Sequence, residues 1–243
     1  MELTLLRGDS YEFPPTHLAL NEPNGLLAVG GDLSSQRLTE AYRHGIFPWF
    51  EDDQPILWWS PSPRAVIFPD QVHCSKSMNK WLRKTPYQIC IDRDFAAVLK
   101  HCSGARKNAN GTWITDSMKR AYTQLHHQGI AHSIEAYEGN YLVGGLYGVS
   151  LGKVFFGESM FSKVTNASKM ALIYLARFLE HRGFTLIDCQ VGSEHVMSLG
   201  AVEIHRSLFE QYLHTNQALP DINSLTWHNS ANKVISRDGH LVD

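Results

Sequence analysis

The run Phe184-Thr185-Leu186-Ile187-Asp188-Cys189-Gln190-Val191 sets a carboxylate and a carboxamide inside an otherwise apolar stretch bracketed by Gly183 and Gly192. Such a run is expected of a strand covered on both faces. Alternation puts Phe184, Leu186, Asp188 and Gln190 on one face and Thr185, Ile187, Cys189 and Val191 on the other. Asp188 and Gln190 are then expected about 7 Å apart on one side, within reach of a single reacting group. A buried carboxylate without a partner is costly, so Asp188 either serves chemistry or caps a nearby loop. The strand by itself leaves both roles open.

The elements that must position this pair fit within 243 residues, enough for one large domain or a main domain with a smaller companion. A hydrophobic fraction of 43% and a charged fraction of 19% exclude a disordered or fibrous chain. No apolar run approaches the roughly 20 residues of a membrane span. Met1-Glu2-Leu3-Thr4 lacks the basic and apolar regions of a signal peptide, so the protein is expected in the cytoplasm. Cys74, Cys90, Cys102 and Cys189 show no metal or redox spacing and are expected as reduced thiols. Among 13 histidines only His126-His127 are adjacent, and no HExxH occurs, so no metal site is expected.

A net charge of −2 excludes a globally basic nucleic-acid binder but not a local basic stripe. Lys76, Lys80, Arg83 and Lys84 fall at i, i+4, i+7 and i+8, one face of a helix, with Met78, Trp81 and Leu82 opposite. Four cations with no interleaved acid suit a phosphate-binding face; a plain solvated face is the alternative.

The first sixty residues are rich in Pro, Gly and aromatics. Ser34 to His44 is a short helix candidate stopped by Gly45. Trp58 and Trp59 include core candidates, whereas Trp49, after Pro48, suits a stacking platform. Ser60-Pro61-Ser62-Pro63 reads as a linker. After it the pattern becomes α/β: a strand at 65–68, the basic helix, a strand at 87–91, a helix capped by Asp94, a polar loop from Ser103 to Gly111, and a helix capped by Asp116. Segments 133–137, 141–150 and 154–161, joined by short turns, predict an antiparallel meander. A long amphipathic helix follows over 167–181, with Leu172, Leu175, Ala176 and Leu179 inward. The Asp188 strand and helical stretches over 194–216 come next. The tail from Pro220 carries no pattern.

Meander, long helix, strand, helix is the order of the GNAT-like acyltransferase fold, which gives a prior on acyl transfer by analogy alone. The junction Phe161-Ser162-Lys163-Val164-Thr165-Asn166-Ala167-Ser168 contains no glycine, whereas GNAT acetyltransferases hold the coenzyme A pyrophosphate on a glycine-rich loop there. Acetyl-CoA is therefore not the expected donor.

Glu22-Pro23-Asn24-Gly25-Leu26-Leu27-Ala28-Val29-Gly30-Gly31-Asp32-Leu33, Gly45-Ile46-Phe47-Pro48-Trp49-Phe50 and Trp58-Trp59-Ser60-Pro61 resemble N-terminal signatures of the bacterial leucyl/phenylalanyl-tRNA–protein transferases. Gly111-Thr112-Trp113-Ile114-Thr115, Gly157-Glu158-Ser159-Met160-Phe161-Ser162, Asn166-Ala167-Ser168-Lys169 and Leu186-Ile187-Asp188-Cys189-Gln190-Val191 resemble those of the catalytic domain. The match runs in order through nearly the whole chain.

The resemblance implies a mixed α/β (α+β) protein with a small N-terminal α/β domain over 1–62 and a GNAT-like catalytic domain over 63–243. It implies transfer of Leu or Phe, also Met, from aminoacyl-tRNA to the N-terminal Arg or Lys of proteins, marking them for degradation. An aminoacyl ester is already activated, so no cofactor is implied. Asp188 would draw the proton from the attacking amine, with Gln190 fixing that amine and Glu158 holding the amino group of the aminoacyl moiety. Cys189, on the other face, is rejected as a nucleophile. Trp49 and Trp113, with Tyr122 behind, would frame the 3′-terminal adenosine. Met160, Leu172, Leu175 and Ile187 would line the pocket for the Leu or Phe side chain, each also fitting a plain core role. Lys76, Lys80, Arg83 and Lys84 would follow the acceptor-stem phosphates. A monomer is the default. An acetyltransferase and a non-enzymatic RNA-binding module remain as alternatives; the latter leaves Asp188 and Gln190 idle.

Overall fold

Two sheets carry the molecule, with helices packed against them in two apolar clusters. The computed structural model describes residues 3–8, 10–104, 114–217, 227 and 230–242. The smaller sheet holds β1 (Thr4–Leu6), β2 (Leu26–Gly30), β3 (Phe47–Pro48) and β4 (Leu57–Trp59) in the order β1-β2-β4-β3. Helix α1 (Ser35–Arg43) runs between β2 and β3; the Ser34 hydroxyl accepts the Arg37 N–H at its start. Its buried stripe of Leu38, Ala41 and Tyr42 joins the core.

The connection to the second sheet is packed, not a solvated linker. Ser60 donates its N–H to the Gly25 carbonyl at 2.7 Å, and Asn24 exchanges two hydrogen bonds with the Ser62 backbone. Gly25 has φ +91°, and a Cβ there would lie 2.5 Å from the Pro61 backbone, so a larger residue would push the two segments apart.

The second sheet has nine strands. Its elements in chain order are β5 (Arg64–Ile67), α2 (Lys76–Leu82), β6 (Gln88–Ile91), α3 (Phe95–Gly104), α4 (Asp116–His127), β7 (Ala131–Glu138), β8 (Tyr141–Leu151), β9 (Val154–Ser162), α5 (Ala167–Glu180), β10 (Leu186–Gln190), α6 (Glu194–Met197), β11 (Val202–Ile204), α7 (Arg206–Gln217), β12 (Val234–Ile235) and β13 (Leu241–Val242). The strand order is β11-β5-β10-β9-β8-β7-β6-β12-β13. Every pairing is antiparallel except β9 with β10, which are joined by α5 and run parallel.

The predicted meander and the long helix stand where expected. Helix α5 is buried nearly all round and packs with α2 on one face of the sheet; α3 and α4 cover the other with the N-terminal segment. Three local expectations differ. Thr115, not Asp116, caps α4, its hydroxyl accepting the Met118 N–H at 3.2 Å. The stretch 194–216 is not continuously helical, because Val202–Ile204 pairs with β5 as an edge strand. The segment from Ser103 to Gly111 is helical through Gly104, and the rest lies outside the described residues.

Candidate active site

The only parallel pairing of the large sheet ends early, and chemistry-bearing residues gather where it ends. Registered pairs between β10 and β9 run from Leu186↔Val154 to Asp188↔Phe156 and stop. Each strand then carries a bulge at this level. Gly157 pairs with Gly148 and Ser159 with Tyr147, leaving Glu158 as the extra residue of β9. Asp188 pairs with Val66 and Gln190 with Ala65, leaving Cys189 as the extra residue of β10. A cavity of about 800 Å³ opens here, reached by Glu158, Ser159 and Met160 of β9 and by Ile187, Cys189 and Gln190 of β10.

The bulge corrects the expected alternation. Cys189 faces the cavity and Asp188 does not; Gln190 reaches it because its backbone turns into the left-handed region at φ +63°. Asp188 is buried away from the cavity, its two oxygens taken by Arg64 Nε at 2.8 Å and Nη2 at 2.7 Å. One of those oxygens also accepts the Gln190 N–H at 2.9 Å, which holds the left-handed turn. Both Asp188 oxygens are thus held by Arg64, and the carboxylate is not among the groups that line the cavity. Cys189 still fails as a nucleophile, now because burial and the Asp188 charge push its thiol far above the usual range.

Glu158 takes the central place instead. Its Oε1 accepts the Gln190 carboxamide N–H at 2.8 Å and its Oε2 the Tyr122 hydroxyl at 2.8 Å. Tyr122 in turn bonds the Tyr42 hydroxyl, so α1 and α4 both brace the carboxylate. Burial pushes the Glu158 carboxyl up to about 7, against the pull of the tyrosine hydrogen bonds; the Asp188 charge raises it further and Arg64 lowers it. A carboxyl near neutrality, lining a cavity, suits proton transfer at physiological pH. Tyr122 is fully buried and does not itself line the cavity.

Met160, Leu172, Leu175 and Ile187 all line the cavity, giving it an apolar wall on the α5 side. Trp49, half exposed at 50%, stands on the rim edge-on to Trp59 with ring centroids 5.5 Å apart, and its carbonyl accepts the Trp59 indole N–H at 2.7 Å. Trp58 is core. Trp113 lies outside the described residues. Lys76, Lys80, Arg83 and Lys84 are exposed and none lines the cavity; α2 ends at Leu82, so Arg83 caps it and Lys84 lies beyond, and the expected helical face carries only Lys76 and Lys80, with Met78 and Leu82 buried.

Sequence reasoning missed Arg64, Tyr42 and Glu203. Arg64 left a signal, since a guanidinium heading the apolar run Ala65-Val66-Ile67 demands a buried carboxylate. It also missed a cluster on the α4 side of the sheet, where Asp92, His126 and His132 bring ligand-type atoms within 4.8 Å. These groups largely satisfy one another. His132 Nδ1 meets Asp92 Oδ2 at 2.7 Å, His132 Nε2 meets the Gly129 carbonyl at 3.0 Å, and Asp92 Oδ1 accepts the Ser133 N–H at 2.7 Å.

Residues 66–214 match the sequence profile of the leucyl/phenylalanyl-tRNA protein transferases, and residues 31–62 match that of their N-terminal domain. A leucyl/phenylalanyl-tRNA–protein transferase of Azotobacter vinelandii is 56% identical over 218 residues, covering 90% of this chain and 96% of its own. One from Pseudomonas putida is 54% identical over 225 residues, covering 93% and 99%. Among solved structures, L-PGS from Bacillus licheniformis covers 69% of this chain and 53% of its own at 11% identity and a TM-score of 0.40, too remote to carry an argument.

Proposed function

The chain belongs to the leucyl/phenylalanyl-tRNA protein transferase family, and we infer that this cavity is where leucine or phenylalanine passes from charged tRNA to the N-terminal Arg or Lys of a protein. Methionine is accepted as a further donor, and the added residue marks the protein for degradation. The single observation that carries the mechanism is Glu158, a buried carboxyl brought to about 7 and facing a cavity with an apolar wall.

The acceptor arrives as an ammonium of ordinary pKa about 7.7–8.0, which cannot attack until it loses a proton. Glu158 receives that proton, and the Gln190 carboxamide, fixed against Glu158 by its N–H, presents its oxygen to the amine. Nitrogen then bonds to the ester carbon as the carbon–oxygen bond to the ribose breaks. Of the ammonium's three protons, one leaves through Glu158 to solvent, one ends on the ribose oxygen and one stays on the amide nitrogen. Asp188 and Arg64 act from behind by fixing the bulge. Met160, Leu172, Leu175 and Ile187 receive the Leu or Phe side chain, and Trp49, with Trp113, receives the terminal adenosine. Lys76, Lys80, Arg83 and Lys84 follow the acceptor-stem phosphates.

The coarser features support a GNAT-like main domain over 63–243 and a small N-terminal domain over 1–62. The first sheet uses strands up to Trp59 alone, and the second has the meander, the α5 crossover and strands that part at paired bulges. At the β9–α5 junction the left-handed position, φ +69°, is filled by Asn166 and not by glycine, which disfavours a coenzyme A loop. Among the described residues no helix is long and apolar enough to cross a membrane; the cytoplasm and a monomer complete the proposal.

The test is transfer of labelled Leu from charged tRNA to an Arg-initiated peptide, with acetyl-CoA as a competing donor. Leucyl peptide without acetyl peptide is expected. Acetyl transfer, or tRNA binding with no transfer, would overturn the assignment.

A further inference from the structure

Among the described residues lining the cavity there is no Lys or Arg, while two carboxylates, Glu158 and Glu203, face it. His195, the remaining basic group on that wall, is held toward its neutral form by burial and by Lys169. The cavity is therefore a place for cations. Glu158 is occupied by Tyr122 and Gln190, but Glu203 has no hydrogen bond or ion pair among the described residues and is exposed.

The sheet register relates the two ends. Gln190 pairs with Ala65, and Ala65 pairs with Glu203, so the three lie in one row across β10, β5 and β11. Two strand spacings put Gln190 and Glu203 about 10 Å apart between backbones. The residue between them carries only a methyl group, so no long side chain intervenes. The Glu203 carboxylate lies over Gly192, where a Cβ would come within 2.7 Å of Oε1.

We propose that Glu203 is the specificity residue that receives the basic head group of the acceptor's first residue while its α-amine sits at Glu158 and Gln190. This rests on the transferase assignment above. An extended Lys or Arg side chain bridges from one end of the Gln190–Ala65–Glu203 row to the other, whereas a short side chain leaves Glu203 unanswered. A single, partly solvated carboxylate imposes no fork geometry, so it serves an ammonium and a guanidinium alike.

The experiment compares otherwise identical peptides beginning with Arg or with citrulline, its uncharged isostere, on wild type, Glu203→Gln and Glu203→Asp. Wild type is expected to favour Arg by about tenfold in KM, the scale of one charged hydrogen bond. Glu203→Gln should raise KM for the Arg peptide by about the same factor and leave the citrulline peptide where it was. Glu203→Asp should recover part of the preference, more for the longer Arg than for Lys. The Kd for Leu-tRNA, measured on each variant, reports whether the site is intact. Equal losses on both peptides, or an Arg preference that survives Glu203→Gln, would overturn the role of Glu203 while leaving the transferase assignment standing. Absence of any transfer by wild type would instead remove both.

Discussion

Asp188 grips Arg64 through two hydrogen bonds, Nε to Oδ1 at 2.8 Å and Nη2 to Oδ2 at 2.7 Å, with both side chains buried. The guanidinium is also sandwiched by the rings of Phe47 and Phe209, at 4.9 and 4.7 Å from its carbon to their centroids. The pair thereby ties β10 to β5, to the smaller sheet and to α7. It fixes the place where the sheet opens.

Asp188→Asn would strand a buried guanidinium against half its partner. Breaking a buried pair costs about 3–5 kcal/mol, so a lowered midpoint in thermal or urea unfolding is expected alongside weaker transfer. The residual activity should still rise with pH, because the proton acceptor is elsewhere, but the rise should move to lower pH, since the Asp188 charge that raises the Glu158 carboxyl is gone. A variant as stable as wild type that has lost the rise of activity with pH would restore Asp188 as the base.

The cations on α2 and at its C-terminal end make a different kind of claim, one about salt. If Lys76, Lys80, Arg83 and Lys84 meet phosphates, replacing all four by Ala should flatten the slope of log K against log salt by about 3. Affinity should fall alike for tRNAs of different acceptor sequence, since phosphates carry no base code. An unchanged slope would return this helix to an ordinary solvated face.

Met160 lies on the cavity wall together with Leu172 and Leu175, groups that adapt to a side chain widening beyond Cβ. A β-branched donor such as Ile is stiff at χ1 and crowds the ester. Discrimination by such a pocket is worth about 1–3 kcal/mol, or about 10–200-fold. Met160→Ala should narrow the gap between Ile-tRNA and Leu-tRNA in direct competition while slowing Leu transfer. Donor ratios that do not move would make Met160 plain core.

What the sequence disclosed follows from periodicity. The meander of β7, β8 and β9 and the helix α5 were legible because alternation and the 3.6-residue stripe run long enough to be unambiguous. The strand with Asp188 was placed, yet Asp188 and Gln190, expected on one face, point to different sides. Ile187 and Cys189 share the cavity side by plain alternation; the one-residue bulge at Cys189 brings Gln190 to that same side, and no glycine or proline within the strand announces it. Glu158 came through the resemblance, but its bracing by Tyr122 and Tyr42 joins three distant segments and had no local signature. Strand β11, three residues long, is too short for alternation to register, and Glu203 was overlooked with it.

Glu158 as the proton acceptor is the centre of the account, and the pH dependence of kcat/KM for an Arg-initiated peptide tests it most directly. A base must be ionised to work, so activity should rise with pH through about 7 as Glu158 loses its proton, and fall again above about 7.7–8.0, where the acceptor no longer brings the proton that Glu158 takes. Glu158→Gln preserves the shape and the contact with Tyr122 but cannot take a proton. It should lower transfer by about 10²–10⁴ and replace the rise near 7 by one at about 7.7–8.0, because only acceptor that is already neutral can then attack. A Glu158→Gln enzyme that keeps both limbs and a near wild-type rate would contradict the account.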